Sequence, residues 1–313
     1  MVKLKFTTLT PLHISNGEVL DQNFHYKVYN NEVFKIDRNK LAAILAKKEK
    51  IDFSQDISTK NIESWISKYQ IDIINNSSSY SVQFDNDFKS HLNNPKANGQ
   101  RGINEFINSN GKFYIPGSSI KGALLTVLNI NSLGIEAGEN ARIQDKFVIR
   151  DSEFIEDTNF MVFRTINRPP IISLLCLKPN TTFVIDIHKL GNLSISDLKL
   201  GLKNYSITQM KNALEKIIKY KSKTGRSNGA DYFAKALEKP NTIKLENDEF
   251  LINIGYGGGS WFKVYEGEIP KFPSKSPKPN RKGKEEEAHT TFSVSINNVL
   301  HHIGWCKLKI EEE

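Results

Sequence analysis

One histidine, His13, stands in a proline-containing loop after the first predicted strand, within the run Thr10-Pro-Leu-His-Ile14. An imidazole in such a loop can serve as the general base for RNA cleavage. A single histidine between apolar residues is also typical of a packed, hydrogen-bonded core residue. The residues alone leave both roles open for His13.

A glycine-rich loop is predicted between two strand-like runs near the C-terminal end. Its four glycines fall within five positions: Gly255, Gly257, Gly258 and Gly259. A P-loop needs Gly-Lys-Ser/Thr at the start of a helix, and the dinucleotide fingerprint needs a further glycine at position 260 and also a helix. Ser260 and Trp261 begin a strand pattern instead, which excludes both nucleotide motifs. Because glycine weakens strands, these residues predict close approach of another backbone, from a polynucleotide or a neighbouring subunit. A glycine-rich hairpin without any ligand is the alternative.

The stretch Ile115-Pro-Gly-Ser-Ser-Ile-Lys-Gly-Ala123 combines a turn with the start of an amphipathic helix. We expect Ser118 or Ser119 to cap this helix and free backbone N–H groups to point outward at its N-terminus. Lys121 in the first turn opposes the helix dipole, which favours acidic residues there. A cation beside exposed donors indicates a bound anion, although an ordinary capped helix fits the same residues.

The segment from Lys199 to Lys239 is strongly basic, with ten lysine or arginine residues against three acidic ones. Its cations include Lys219, Lys223 and Arg226. The interleaved aromatic residues are Tyr205, Tyr220, Tyr232 and Phe233. Positive charge that follows a phosphate backbone, with aromatic rings for stacking, is typical of single-stranded nucleic-acid binding. A solvated helix face has a similar composition and is the alternative.

The bulk composition agrees with a basic protein that buries a substantial core. The chain has 313 residues, of which 38% are hydrophobic, and a net charge of +8 that favours a polyanionic partner. Its two cysteines, Cys176 and Cys306, lie in apolar runs, so we expect buried thiols in a cytoplasmic protein. No HExxH, GxSxG or paired-cysteine motif occurs, and we expect neither a cofactor nor a metal. No stretch approaches the roughly 18 apolar residues of a membrane span, and no signal peptide is predicted.

The elements that must position these residues are short strands with helices between them. In the first half we predict a strand at Lys3–Thr8, a hairpin that turns at Asn30-Asn31, and a helix capped by Asp37. Residues 75–79 and 91–102 are predicted to be loops. These patterns indicate the α+β class.

The second half repeats the arrangement of strands, helices and strands, which favours two ferredoxin-like (RRM-like) sheets. We expect an N-terminal RRM-like domain with a helical insertion over residues 1–140 and a C-terminal RRM-like domain over 141–313. The second domain would carry a basic helical insertion at about residues 195–240. A proline-rich, charged run predicts a mobile loop at 269–287.

Three of these stretches, taken in order, resemble the RAMP superfamily of CRISPR proteins. They are Thr10-Pro-Leu-His-Ile14, Ile115-Pro-Gly-Ser-Ser-Ile-Lys-Gly-Ala123 and Ile254-Gly-Tyr-Gly-Gly-Gly-Ser-Trp261. Their order, their spacing and the chain length look most like the fifth Csm subunit of type III-A effector complexes. Arg150-Asp-Ser-Glu-Phe154 also resembles the family's strand after the helix.

The resemblance implies RRM-like domains with a glycine-rich loop that bind the guide RNA (crRNA). It further implies a subunit that caps the filament at the 3′ end of the crRNA, is needed for crRNA maturation in antiviral defence, and has no active site of its own. The implied partners are the crRNA, the backbone RAMP subunit and the small helical subunit of the Csm complex, with host nucleases as further partners and no membrane.

The residues matched to the family motifs become candidates for contact with RNA. Ser118, Ser119 and Lys121 are carried over as RNA contacts, and Gly255 to Gly259 as the glycine loop. We add His13, Lys219, Lys223 and Arg226 as RNA-binding candidates from their local patterns. Two positions depart from the family: Leu125 stands where an arginine is common, and Ser15 where a glycine is common.

Two other functions within the same superfamily stay open. A RAMP endoribonuclease that processes repeat RNA would use His13 as its base, but no second acid or base accompanies it. A backbone RAMP subunit that cleaves target RNA would need a metal ion and an acidic residue such as Asp21 or Asp37, which no motif supports. We therefore expect a protein that is not an enzyme.

Overall fold

Two main β-sheets and several helices form the fold, and the computed structural model confirms the predicted α+β class. The structure describes residues 2–22, 24–51, 58–94, 101–128, 147–166, 171–190, 193–206, 215, 235–237, 242–256, 271–273, 285–287 and 293–312.

The first sheet has five antiparallel strands with the N-terminal strand in the middle. Its order is β13 (Glu249–Asn253), β18 (Trp305–Glu312), β1 (Val2–Thr8), β12 (Thr182–Leu190) and β9 (Phe147–Ile149). In β1, Leu4 and Phe6 are fully buried, whereas Lys5 between them is exposed. Because side chains alternate across a strand, one face of this sheet packs on the core and the other faces water.

The second sheet has seven strands of mixed direction. Its order is β2 (Ser15–Leu20), β6 (Ile103–Phe106), β11 (Ser173–Leu177), β10 (Phe160–Arg164), β5 (Ser78–Phe84), β4 (Glu32–Ile36) and β3 (Tyr26–Tyr29). The strands β10 and β11 pair antiparallel in the centre, and each pairs in parallel with its outer neighbour. Every residue of β11 is buried, as expected for a strand covered on both faces.

Three two-stranded ribbons complete the strands. They are β7 (Asn108–Ser109) with β8 (Lys112–Phe113), β14 (Lys271–Pro273) with β15 (Glu285–Glu287), and β16 (Ser293–Ile296) with β17 (Val299–His302). The strands β14 and β15 belong to the predicted mobile loop 269–287, whose other residues lie outside the described part of the chain.

The described helices are α1 (Arg38–Glu49), α2 (Thr59–Lys68), α3 (Gln70–Ser77), α4 (Asn86–Leu92) and α5 (Gly117–Leu128), and residues 195–206 are also helical. The predicted cap of α1 is confirmed, because the Asp37 carboxylate accepts hydrogen bonds from the backbone N–H groups of Asn39 and Lys40 at 2.9 and 3.1 Å. None of the described helices combines the length and the apolar character needed to cross a membrane.

The predicted hairpin turn is confirmed by its backbone angles. Asn30 and Asn31 have φ values of 48° and 61°, the left-handed conformation that a two-residue turn of this type requires.

The loop predicted over residues 75–79 is wrong. Residues 75–77 continue α3, and β5 starts directly at Ser78. Burial of Ile73 and Ile74, together with a 2.6 Å hydrogen bond from the Ser77 hydroxyl to the Ile73 carbonyl, outweighs the turn preference of the Asn-Ser run. The loop predicted over residues 91–102 is confirmed for its described residues 93–94 and 101–102, which lie in neither a helix nor a strand. Only its first two residues differ, because α4, whose start is capped by the carboxylate of Asp85, extends through Leu92.

Each main sheet takes strands from both sides of residue 140. The strand β1 pairs with β12 and β18, while β5 pairs with β10 and β6 with β11. One hydrophobic cluster extends from Leu4 to Ile310, and within it the rings of Phe6 and Phe183 stack with centroids 5.0 Å apart. Residue 140 itself lies outside the described residues, and the division at that position stays a prediction.

The start of α5 lies directly against the end of β9, and a glycine permits this contact. A Cβ on Gly117 would collide with the carbonyl oxygen of Ile149 and lie 2.7 Å from that of Arg150. In the same helix, a Cβ on Gly122 would have no heavy atom within 4 Å. These two glycines therefore separate the effect of packing from the effect of helix propensity.

We predict that Gly117→Ala destabilises the fold by about 1–3 kcal/mol, because the new methyl group must push β9 away from α5. Gly122→Ala is the matched control and should stabilise the protein by about 0.5–1 kcal/mol, because alanine loses less backbone entropy in a helix. Urea unfolding of the two variants measures both changes. Equal stability of the two variants would contradict the close contact between α5 and β9.

Candidate nucleic-acid interface

The segment Thr10–Ile14, which carries the first motif, lies between the two main sheets. On the side of the five-stranded sheet, the hydroxyl of Thr10 accepts a hydrogen bond from the Trp305 N–H at 3.0 Å. The carbonyl of Pro11 accepts another from the Gly304 N–H at 2.8 Å. The segment is thereby tied to the start of β18.

On the other side, the same segment is tied to the seven-stranded sheet. Leu12 exchanges two backbone hydrogen bonds with Leu177, at 3.0 and 2.8 Å, as an isolated antiparallel bridge to β11. The carbonyl of Ile14 accepts a hydrogen bond from the Ile107 N–H at 2.9 Å. The first motif therefore connects the two sheets by backbone hydrogen bonds.

His13, in the middle of this segment, is a buried residue with 1% of its surface exposed. Its Nδ1 donates a 2.8 Å hydrogen bond to the Leu175 carbonyl, so Nε2 is an acceptor, and no described residue bonds to it. The ring contacts Phe106 and Tyr256 edge-on, with centroids 6.2 and 5.8 Å away.

Burial lowers the pKa of His13 from 6.5 to about 4, and the hydrogen bond to Leu175 only partly opposes this shift. A general base must reach the proton that it removes, and a buried imidazole with so low a pKa is poorly suited to that task. The geometry of His13 is that of a packed, hydrogen-bonded core residue.

Gly255, the first glycine of the loop, lies against the backbone of His13. It has a φ of +82°, and a Cβ at this position would collide with the His13 carbonyl oxygen and lie 3.0 Å from a methyl group of Leu12. The N–H of Tyr256 donates a 2.9 Å hydrogen bond to the same His13 carbonyl. For this glycine, the closely approaching backbone is therefore the chain's own first motif.

The second motif is connected to the other two through the five-stranded sheet. The helix α5 contacts β9 and also β13, the strand that leads into Gly255. The structure thus brings His13 and Gly255 into direct contact and seats α5 on the strand that ends at the glycine loop. The remaining candidates, Lys219, Lys223, Arg226, Gly257, Gly258 and Gly259, lie outside the described residues.

The predicted serine cap of α5 is wrong, because the helix begins at Gly117 and both Ser118 and Ser119 lie inside it. The Gly117 N–H donates a 2.8 Å hydrogen bond to the Asp151 carboxylate, and the Ser119 N–H bonds to the Pro116 carbonyl at 3.0 Å. An acidic group at this end suits the helix dipole. Asp151 is far from α5 in sequence, so no local pattern announces the contact.

Three of the side chains predicted to contact RNA lie in the first turn of α5. Ser118 is exposed, while Ser119 and Lys121 are half-buried in the first turn of α5. The backbone carbonyl of Arg150 lies next to Gly117, so this residue is close to the helix start. Its side chain is exposed and adds a positive charge there. The sequence motifs do not predict Arg150 as an RNA contact, although Arg150 begins the stretch Arg150–Phe154 that resembles the family's strand.

The acidic residues considered for a metal-dependent reaction have local structural partners. The carboxylate of Asp37 caps α1, and that of Asp21 accepts a 3.3 Å hydrogen bond from the Phe24 N–H. Across the described residues, no group of three or more His, Cys, Asp or Glu side chains could hold a metal ion. Cys176 and Cys306 are buried free thiols, as expected, and burial raises the pKa of both.

We predict that Gly255→Ala destabilises the fold by more than Gly17→Ala does. Gly17 has a similar φ of +88°, but a Cβ there would have no heavy atom within 4 Å, so its substitution reports only the conformational strain. The additional collision with the His13 carbonyl should cost about 1–3 kcal/mol. Thermal and urea unfolding measure the difference, and equal losses would contradict the contact between the two motifs.

We also predict that the stability advantage of the wild type over His13→Asn shrinks as the pH falls from 7 to about 4.5. The unfolded chain takes up a proton near pH 6.5 whereas the folded chain does so near 4, so stability is lost as the pH falls between these values. At 1.36 kcal/mol per pKa unit, the full loss is about 3 kcal/mol. Asparagine keeps a donor for the Leu175 carbonyl, and His188→Asn on the exposed face of β12 is the control. A difference that does not change with pH would contradict the buried neutral imidazole.

A family model and two solved structures are similar to this chain over most of its length. The family model of the RAMP superfamily matches residues 5–263. A chain of the Csm-crRNA-target RNA ternary complex of a type III-A CRISPR-Cas system has a similar structure, with a TM-score of 0.62, 15% identity and coverage of 99% of this chain and 100% of that chain. The crystal structure of T. onnurineus Csm5 is similar with a TM-score of 0.55 and 15% identity over 82% of this chain and 90% of that chain.

A comparison with curated protein sequences gave no match. At 15% identity, the two solved structures show a shared fold. The family model covers most of the chain and includes all three motifs. This chain therefore belongs to the RAMP superfamily.

Proposed function

We propose that this protein is a non-catalytic RNA-binding subunit of a type III-A CRISPR effector (Csm) complex. It caps the filament at the 3′ end of the crRNA and is needed for crRNA maturation. The observation that carries this proposal is the fold shared, over nearly the full length of both chains, with a chain of a Csm-crRNA-target RNA complex. In that complex the partners of the present protein would be the crRNA, the backbone RAMP subunit and the small helical subunit, in the cytoplasm.

The surface around the start of α5 supports contact with the phosphates of RNA. Ser118, Lys121 and Arg150 supply hydroxyl, ammonium and guanidinium donors, which phosphate oxygens accept. The net charge of +8 adds a general attraction for polyanions. Such contacts carry no base preference, which suits a protein whose guide RNA reads sequence by base pairing.

The surroundings of His13 and of Asp37 support a subunit without catalysis of its own. The His13 imidazole is buried and bonded to the Leu175 carbonyl, so it is not placed to accept a proton from an RNA hydroxyl. The carboxylate of Asp37 is occupied as a helix cap. Incubation of the purified protein with repeat RNA, with and without divalent metal, tests this point, and a specific cut that His13→Ala abolishes would overturn it.

The capping role is tested by copy number and position in the assembled complex. Native mass spectrometry of the co-expressed complex should find one copy of this protein, and omission of its gene should leave the crRNA with unprocessed 3′ ends. Several copies along the RNA would instead identify a backbone subunit. Normal crRNA in the complex that lacks this protein would contradict the role in maturation.

We predict that Lys121→Glu weakens the affinity for unrelated single-stranded RNA sequences to the same degree. Each lost phosphate contact should reduce the slope of log K against log salt by about 0.7, because fewer counterions are released. Lys40→Glu, on the exposed face of α1, is the matched control. Fluorescence anisotropy over a salt series measures both quantities, and unchanged affinity and slope for Lys121→Glu would remove this residue from the interface.

A further inference from the structure

The most exposed aromatic side chain in the described part of the chain is Phe154, with 59% of its surface accessible. It belongs to the segment 150–155, which follows β9 and runs beside the start of α5. A ring left in water forgoes the burial that normally stabilises a folded chain. Phe154 is therefore available to a partner, provided that the backbone holds it in place.

The backbone on both sides of Phe154 is fixed by hydrogen bonds to the chain segment before α5. The Ser152 N–H donates to the Ile115 carbonyl at 2.9 Å, and the Ile155 N–H donates to the Phe113 carbonyl at 2.8 Å. The Ser152 hydroxyl accepts a further bond from the Ile115 N–H at 2.8 Å. Because this backbone is already ordered, the segment around Phe154 would lose little conformational entropy when a partner binds to the ring.

The ring already contacts a cation and a second aromatic side chain. The Nζ atom of Lys112 lies 5.4 Å from the centroid of the Phe154 ring. The ring of Tyr114 meets that of Phe154 edge-on, with centroids 6.4 Å apart. Lys112 shows that a basic side chain can pack over this ring, as the negative charge of the aromatic face favours.

The residues that follow Arg150 carry a charge opposite to that of the chain as a whole, although Lys112 also lies over the Phe154 ring. Residues 151–157 read Asp-Ser-Glu-Phe-Ile-Glu-Asp and contain four acidic residues and no basic one, in a chain with a net charge of +8. The side chains of Glu153 and Glu156 are exposed. Carboxylates at this density repel phosphates and attract basic side chains within about 10 Å at ordinary ionic strength.

We propose that Tyr114, Glu153, Phe154 and Glu156, here called the Phe154 surface, form a docking site for a neighbouring protein subunit. The partner segment presents an arginine or lysine that packs on the Phe154 ring and pairs with the two glutamates. This inference rests on the proposed function, because the neighbour is another subunit of the same complex. Charge complementarity favours a basic protein segment over RNA, whose phosphates the same glutamates repel.

The experiment compares two binding reactions of the full-length protein. The first measures the affinity of the dye-labelled protein for the purified Csm complex assembled with its guide RNA but without this subunit. The second measures the affinity of the protein alone for a fluorescein-labelled single-stranded RNA. Phe154→Ala and the charge reversal Glu153→Lys/Glu156→Lys are tested beside Ile71→Ala, a control at an apolar residue of α3 with an exposed fraction of 48%.

We expect Phe154→Ala and the double charge reversal each to weaken incorporation into the complex by on the order of ten-fold or more, as loss of an interface hot spot does. RNA affinity should change less than two-fold for Phe154→Ala, and Ile71→Ala should leave both reactions unchanged. Circular dichroism and the melting temperature confirm that the variants fold.

Each of the other outcomes would overturn either the docking of a protein at the Phe154 surface or the proposed function. Loss of RNA affinity in Phe154→Ala would show that the ring stacks on a nucleobase and would overturn the docking of a protein. Unchanged incorporation and RNA binding would overturn the inference while leaving the proposed function intact. Failure of the wild-type protein to enter the complex would overturn the proposed function itself.

Discussion

The hydrogen bonds of the Thr10–Ile14 segment to both main sheets fix the position of one sheet relative to the other. This segment has no strand partner of regular length, so each of its buried carbonyl groups must find a donor elsewhere. Gly304, Leu177 and Tyr256, which come from distant parts of the chain, supply those donors. An unpaired buried carbonyl would cost about 1–3 kcal/mol, so the two sheets and the start of the glycine loop depend on one another through these bonds.

The same constraint changes how the chemistry-bearing residues are interpreted. Gly255 is needed because its Cβ would collide with the His13 carbonyl, and His13 is buried where its imidazole bonds to Leu175. These contacts within the chain explain why a glycine stands at position 255 and a histidine at position 13, without a bound ligand. The exposed donors lie instead around the start of α5, where the Asp151 carboxylate already takes the first backbone N–H group. Function is therefore carried by surfaces that these buried contacts position.

The segment that follows β9 contributes to both proposed surfaces. Arg150 adds a cation beside the start of α5, where we propose contact with RNA, and Phe154 forms part of an acidic, aromatic surface, where we propose contact with protein. Asp151 stands between them and fixes this segment to α5 through Gly117. Opposite charges on adjacent surfaces would let one subunit bind a polyanion and a basic neighbour without competition between the two.

The sequence by itself determined the features that depend on neighbouring residues. The α+β class, the turn at Asn30-Asn31 and the cap at Asp37 follow from local backbone preferences, and three ordered motifs identified the superfamily. Local preference failed at residues 75–77, where burial favours a helix over a loop. Only the tertiary structure decided that Gly255 packs on the first motif and that each sheet takes strands from both halves of the chain. These contacts join residues far apart in the sequence, and their energy comes from burial and from paired backbone groups, which no local pattern encodes.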